Sequence, residues 1–259
     1  MINRKHILFG IEDKDEKNLI SLIYDKADKA ITTGAAIYSR FLSPAQAHLV
    51  NERFCNDVTV SFSGGYDEAE RTIACITSFD TYEIYFDYPI EVVRIKAKNK
   101  AVFSHRDYLG SLMALGIKRE LLGDIVICES CAYLFCHREI CDFITLNLTS
   151  IGRNTVISEV VQPDEITLPK RQFKEKSVTV SSMRLDCILS AATGKSRAVS
   201  AEMITKGLVQ VNYEIAKSGS VQINNDATIS VRGFGKMIIS TNGTLTKKGR
   251  YHINIKQYI

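Results

Sequence analysis

An α+β fold is predicted by three observations on this 259-residue chain. Some segments place apolar residues at helical spacing, others alternate apolar with polar residues, and the two kinds are interleaved along the sequence. A hydrophobic fraction of 45% with 24% charged residues excludes a disordered or low-complexity chain. The length leaves room for two or three domains at roughly 100 to 200 residues each.

In the N-terminal part, Leu19, Ile20, Leu22 and Ile23 lie within the polar stretch 12–30 and predict a helix. Ser43 followed by Pro44 predicts the start of a second one. Val58, Val60 and Phe62 alternate with polar residues and run into Gly64-Gly65, which predicts a strand and a turn, and 72–79 is a second run of strand length. Residues 1–87 are therefore expected to form a small α/β unit. From residue 89 the expected order is a strand over 90–96, a helix over 106–115 with Leu109, Leu112 and Met113 as its core side, strands over 124–128 and 132–137, a helix over 139–148 and a strand over 155–161. That βαββαβ order predicts a ferredoxin-like (RRM-like) middle domain over 88–165, which names a fold and not an activity.

Residues 166–181 turn polar and basic, with Pro169-Lys170-Arg171 and Lys174-Glu175-Lys176, and are expected to be an interdomain linker. The third domain is then 182–259. Two short helices are expected in it, 183–192 with Leu185, Ile188, Leu189 and Ala192 on one face, and 196–206 with Val199 and Met203. Strands follow, the last with Tyr251, Ile253 and Ile255 inward and Arg250, His252, Asn254 and Lys256 outward.

Charge is divided unevenly along the chain. Residues 1–169 hold 18 Lys+Arg against 24 Asp+Glu, a net of −6, while 170–259 hold 15 against 5, a net of +10. Such an excess is the footprint of a module that binds a polyanion, nucleic acid or anionic membrane. The sequence has no apolar run of the roughly 18 to 20 residues that span a bilayer, so no membrane insertion is expected. Its N-terminus runs into Glu12, Asp13, Asp15 and Glu16 without the apolar stretch of a signal peptide. With seven Cys, an odd number, reduced thiols and a cytoplasmic location are expected.

The densest chemical signal lies in the basic part. Lys195 and Arg197 flank Ser196 at the start of a helix, where free N–H groups and the helix dipole already favour an anion. Arg184 opens the preceding helix and Lys206 closes the second. Arg184-Leu185-Asp186, Ser196-Arg197, Met203-Ile204, Gly207, Val209, Val211-Asn212, Asp226, Ile229 and Val231 resemble the S-four RNA-binding domain. Asn225 stands at the usual glycine position, a substitution expected to tolerate a left-handed turn. Further motifs are Gly64-Gly65-Tyr66 with Glu70-Arg71, His105 to Arg119 with Gly123-Asp124, Val211-Asn212-Tyr213, Arg232-Gly233-Phe234-Gly235-Lys236, and Thr246 to Tyr251. Together they resemble the YlmH family of bacterial RNA-binding proteins.

What the resemblance implies is a protein encoded near cell-division genes that binds the large ribosomal subunit and is linked to rescue of stalled peptidyl-tRNA complexes. Its expected partners are RNA (rRNA and tRNA) and that subunit. The expected RNA contacts are Arg184, Lys195, Ser196, Arg197, Lys206, Lys217, Arg232 and Lys236, reading backbone shape with phosphate contacts dominating. Tyr66, Arg71, Arg106 and Arg119 are candidates either for a second RNA or ribosome surface or for core and fold-stabilising roles.

Other motif matches fail on their own terms. Lys236 stands where the aromatic RNA-recognition signature needs a stacking ring, and Gly233-Phe234-Gly235-Lys236 lacks phosphate-loop spacing. Arg184-Leu185-Asp186 is similar to the catalytic aspartate motif of pseudouridine synthases, but the chain that follows is too short for that domain, so a structural pairing with Arg is expected of Asp186. His105-Arg106-Asp107 lacks the rest of a kinase loop and is expected to begin a helix. Cys128, Cys131, Cys136, His137 and Cys141 are expected to be ordinary core thiols and a histidine and not a zinc site. No metal, cofactor or catalytic residue is expected, and the protein is expected not to be an enzyme. An alternative is an RNA-modifying enzyme with its catalytic part in the acidic front. A membrane-proximal division factor is disfavoured, because no basic amphipathic helix with a wide apolar face is found.

Overall fold

The computed structural model describes residues 2–81, 86–99, 101–162, 165–169, 173–247 and 249–258. It divides into two compact units, Met1–Pro169 and Lys170–Ile259. The boundary expected after residue 87 falls inside the first unit. Lys170 and Arg171 of the expected linker lie outside the described residues.

The first unit opens with α1 (Arg4–Leu8) and α2 (Lys14–Thr33). Asp13 caps α2 by accepting from the N–H groups of Asp15 and Glu16 at 2.9 and 2.8 Å, and Gly34, at φ 68°, ends it. Ile20, Ile23, Ala27 and Ala30 form its buried stripe, whereas Leu22, one of the apolar residues that predict the helix, is 58% exposed. β1 (Ile37–Leu42) follows, then α3 (Pro44–Phe54), β2 (Thr59–Ser63) and β3 (Thr72–Thr77). Ser43 and Gln46 close a reciprocal cap at the start of α3, in keeping with the Ser43-Pro44 signal. The strands form an antiparallel sheet in the order β1-β3-β2. β1 is not evident from sequence because Ser39 and Arg40 interrupt its apolar pattern. Ser39 is nevertheless buried, with its hydroxyl donating to the Arg40 carbonyl and accepting from the Ala74 N–H.

A second sheet in the same unit contains β4 (Ile90–Ala97), β5 (Leu122–Ile127), β6 (Ala132–His137), β7 (Ser150–Ile151) and β8 (Asn154–Val161). α4 (His105–Ala114) links β4 to β5, and α5 (Cys141–Asn147) follows β6. The order β5-β6-β4-β8-β7, antiparallel throughout, is the strand order of a split βαβ arrangement. α4 and α5 bury Tyr108, Leu112 and Ile144 with Val93, Ile95 and Leu134 of the sheet. Met113, expected in this core, is 43% exposed; Tyr108 takes its place because it stands one turn before Leu112 on the same face. On the other face of the sheet Val92, Tyr133, Phe135 and Val161 are buried, with Tyr66, Ile166 and Leu168 packed against them.

The second unit contains β9 (Phe173–Val180), α6 (Leu185–Thr193), α7 (Arg197–Thr205), β10 (Val209–Val211), β11 (Glu214–Ile215), β12 (Ala227–Val231), β13 (Gly235–Leu245) and β14 (Tyr251–Tyr258). Its sheet runs β11-β10-β12-β13-β14-β9. Residues 173–180 are therefore a strand and not a linker: β9 pairs antiparallel with β14 from Phe173↔Tyr258 to Val180↔Tyr251. The polarity that suggests a linker is that of an edge strand, where lysines remain in solvent. Ile253 and Ile255 are buried while His252, Asn254 and Lys256 are exposed, in line with their alternation. In α7 the buried residues are Ser200 and Ile204, not Val199, which is 39% exposed. Ser200 is tolerated there because its hydroxyl donates to the Ser196 carbonyl. Asn212 and Tyr213, at φ 47° and 72°, form the two-residue turn between β10 and β11, a geometry with two left-handed residues that matches strand twist. Near residue 225 the left-handed residue is Asp226, at φ 60°, while the Asn225 side chain accepts from the Thr241 N–H.

Two glycines separate packing from propensity. Gly110, within α4, has open space where a Cβ would stand, so Gly110→Ala is expected to raise stability by about 0.5 to 1 kcal/mol. At Gly123 a Cβ would lie 2.7 Å from the Phe41 ring and 3.0 Å from the Phe135 carbonyl oxygen, so Gly123→Ala is expected to lower it by about 1 to 3 kcal/mol. Urea unfolding of the two variants checks both signs.

Candidate nucleic-acid interface

The centre of the basic unit is a carboxylate. Asp186, in the first turn of α6, is 7% exposed and accepts from Arg184 Nε at 3.1 Å, from Arg184 Nη2 at 3.0 Å and from Arg197 Nη2 at 2.7 Å. The bonds from Arg184 lead the effects that hold its carboxyl well below the usual carboxylate range; burial opposes them and the bond from Arg197 adds to them. Asp186 thus has the structural pairing with Arg expected of it. Arg184 and Arg197 are brought together on one acceptor, yet their side chains remain 39% and 57% exposed. Each guanidinium therefore keeps N–H donors outside the clamp. The N-terminus of α6 is closed, since the N–H groups of Leu185 and Asp186 donate to the carbonyls of Val221 and Gly219.

Ser196 caps α7, its hydroxyl oxygen accepting from the Val199 N–H at 3.3 Å. Its local role is to hold the helix start, between the exposed Lys195 and Arg197. Arg250, which the sequence marks as outward-facing and as part of the Thr246 to Tyr251 motif but not as an RNA contact, lines the same cleft as Arg197 and donates to the Thr179 carbonyl at 2.9 Å. Its charge is the one signal by which sequence could single it out. Lys206 closes α7 and pairs with Glu202 at 2.6 Å; it shares a second concavity with Arg232, Gln210 and Ser230. Arg232 stands in the turn between β12 and β13, with Gly233 and Gly235 both at positive φ, so the Gly-Phe-Gly run serves a hairpin. The Lys236 ammonium lies 4.9 Å from the ring centre of Tyr258 and 5.3 Å from that of Tyr213, a cation–π pair of contacts. Lys217 is exposed in the loop after β11.

Three of the four candidates for a second surface are half-buried and bonded within the fold. The Asp124 carboxylate accepts from the Tyr66 hydroxyl at 2.9 Å and from the N–H groups of Glu70 and Arg71 at 2.7 and 3.2 Å. Arg71 donates to the carbonyls of Leu122, Phe41 and Arg119, and Arg119 to those of Leu122 and Gly123. Tyr66 packs on Phe135 with ring centres 4.7 Å apart. Burial lowers the pKa of Arg71 to about 10 and depresses that of Arg119. The motifs Gly64-Gly65-Tyr66, Glu70-Arg71, Arg119 and Gly123-Asp124 are thus one interlock that pins the 64–71 loop to β5. Arg106 is exposed in the first turn of α4, which starts at His105. Cys136 and Cys141 are buried free thiols, and hydrogen bonding with Cys141 together with burial pushes the Cys136 pKa well above the ordinary thiol value.

Fold and site together define a mixed α+β protein with a basic, sheet-based C-terminal unit and a split βαβ sheet in the N-terminal one. Residues 85–165 match a family described as “Putative RNA-binding domain in YlmH”. The Ribosome-associated protein quality control protein P2 of Bacillus subtilis (strain 168) is 31% identical over 202 residues, covering 78% of this chain and 79% of that protein. The chain belongs to the YlmH family. A solved structure of the cell division protein ylmH from Streptococcus pneumoniae superposes with a TM-score of 0.51 at 21% identity, over 61% of this chain and 99% of that one, a likeness of fold.

Asp186 gives a signed pH dependence. Its folded pKa lies below the unfolded value of about 3.9, so its contribution is present above that pH and is lost as pH falls toward the folded value. Asp186→Asn is expected to cost about 2 kcal/mol at pH 7, with the gap to wild type narrowing below about pH 4 in urea unfolding. An equal gap at both pH values contradicts the clamp.

Proposed function

We propose that this protein binds structured RNA, namely ribosomal RNA with tRNA at a stalled large ribosomal subunit, through a C-terminal S-four domain, and that it catalyses no reaction. The observation that carries the proposal is the arrangement around Asp186: two clamped but still exposed guanidinium groups beside Lys195 at the start of α7, in ninety residues of net charge +10. Phosphate recognition needs fixed cations with donors left over, and a buried carboxylate that positions two arginines without covering them supplies that.

The family match over 85–165 supports RNA binding by the front unit as well, and the relative named for ribosome-associated quality control supports the ribosome as the setting. The split βαβ sheet, ferredoxin-like in its strand order, has the face opposite its helices filled by Tyr66, Ile166 and Leu168 over Phe135. RNA contact by that sheet through stacked bases on Phe135 is therefore disfavoured, and shape and charge remain the means of recognition. With the ribosome as the setting, the proposed site of action is the cytoplasm. Among the described residues no helix is long and apolar enough to cross a membrane. A connection to cell division belongs to the same proposal through the family resemblance.

Lys195 and Lys217 are exposed and outside the Asp186 clamp, so they test binding without disturbing the fold. Lys195→Ala/Lys217→Ala is expected to weaken binding to large subunits and to flatten the log–log salt dependence by about 0.9 for each phosphate left without its cation. Sedimentation with purified subunits over a salt series measures both, and an unchanged slope removes these lysines from the interface.

A further inference from the structure

A cleft of about 850 Å³ in the first unit is lined by five basic residues, Lys26, Arg40, Arg71, Lys118 and Arg119, against one acidic residue, Glu120. This is an inversion of the local charge, because residues 1–169 carry a net of −6. Arg40 is paired with Glu139. Among the described residues none of Lys26, Arg71, Lys118 and Arg119 forms an ion pair within 4.0 Å. Arg71 and Arg119 are fixed instead by backbone carbonyls, which accept hydrogen bonds but carry no compensating charge. The cations also act on one another: burial, Arg40 and Lys29 lower the proton affinity of Lys26, and burial followed by Arg40 does the same to His137. Asp124 partly offsets Arg71 and Arg119, but burial and the neighbouring cations still hold the proton affinities of Lys26, Arg71 and Arg119 down, and five cations lining one cleft with one acidic residue form a site that an anion would relieve.

The other wall is apolar. Leu19, Leu22, Ile23, Phe41 and Leu42 line it, and Leu22 is the helix residue whose 58% exposure the core does not explain. Size, charge and wall together specify the ligand. The cleft falls within the range of roughly 300 to 1,000 Å³ typical of small-molecule sites. Guanidinium groups held by backbone carbonyls in its lining suit a phosphate more than a single carboxylate, and an apolar wall suits a planar ring. A cleft of this size takes one nucleotide and hence one phosphate group, not a run of backbone.

We propose that this cleft binds the phosphomonoester of a single nucleotide, with Lys26, Arg71, Lys118 and Arg119 receiving the phosphate and the wall around Leu22 receiving the base. The nucleotide is either free or the phosphorylated end of an RNA. This site is separate from the basic unit and does not depend on RNA binding there.

The test uses the full chain and a fluorescent derivative of adenosine 5′-monophosphate. Saturable binding is expected, with affinity lowered at least ten-fold in Lys26→Ala/Lys118→Ala and again in Leu22→Glu. These residues are half-buried or exposed and lie outside the Asp124 interlock, so the unfolding midpoint should hold. Lys195→Ala/Lys217→Ala should bind the probe like wild type, which keeps failure of this site distinct from failure of RNA binding. Displacement by a 5′-phosphorylated but not a 5′-hydroxyl oligoribonucleotide supports an RNA end as ligand, and displacement by adenosine 5′-monophosphate alone supports a free nucleotide. No saturable binding, or binding unaltered by the cleft substitutions, overturns the proposal.

Discussion

Ninety residues that carry fifteen Lys+Arg against five Asp+Glu must fold against their own repulsion, and Asp186 is where that constraint is met. Its carboxylate is almost fully buried and ties Arg184, at the cap of α6, to Arg197, at the first residue of α7. Two helices of nine residues each would be marginal alone; they hold because their apolar sides pack on one sheet and because this ionic pin sets one against the other. Burying a lone carboxylate would be costly, and burying one with three N–H donors is not. Arginine suits the task because it stays charged and fixes its donors in a plane.

The front unit uses the same device with a different purpose. Asp124 also gathers donors, but two are backbone N–H groups and one is the Tyr66 hydroxyl, so the result is a pinned loop and not a charged surface. Around it Arg71 and Arg119 point their hydrogen bonds at carbonyls. Arg184 and Arg197 face a carboxylate and remain exposed; Arg71 and Arg119 face backbone carbonyls and are half-buried. The same residue type thus leaves exposed donors in one unit and builds a half-buried scaffold in the other.

Much of this is legible in the sequence. Period-3.6 and period-2 patterns locate α2, α4 and β14 because each buries one face, while β4, covered on both faces, stands out as an apolar run. β1 is hidden because a buried serine satisfied by its neighbours looks polar, and β9 is hidden because an edge strand keeps lysines on its open side. Within the site, the pairing of Asp186 with arginine can be foreseen from residue type and proximity. That Tyr66, Arg71 and Arg119 close on Asp124 cannot, since Tyr66 and Arg71 stand 58 and 53 positions away from it and an arginine near it in sequence looks like a surface cation. Charge alone does not reveal whether a guanidinium meets water or a carbonyl. The cationic cleft is hidden for the same reason, being assembled from α2, β1 and the segment before β5.

The most direct measurement of where RNA binds is crosslinking of the full chain to large ribosomal subunits, with the crosslinked peptides identified by mass spectrometry. Crosslinks between 184 and 236, reduced by moderate salt, are expected if the basic unit carries recognition. Crosslinks confined to residues 1–169, with none in the basic unit, would contradict it.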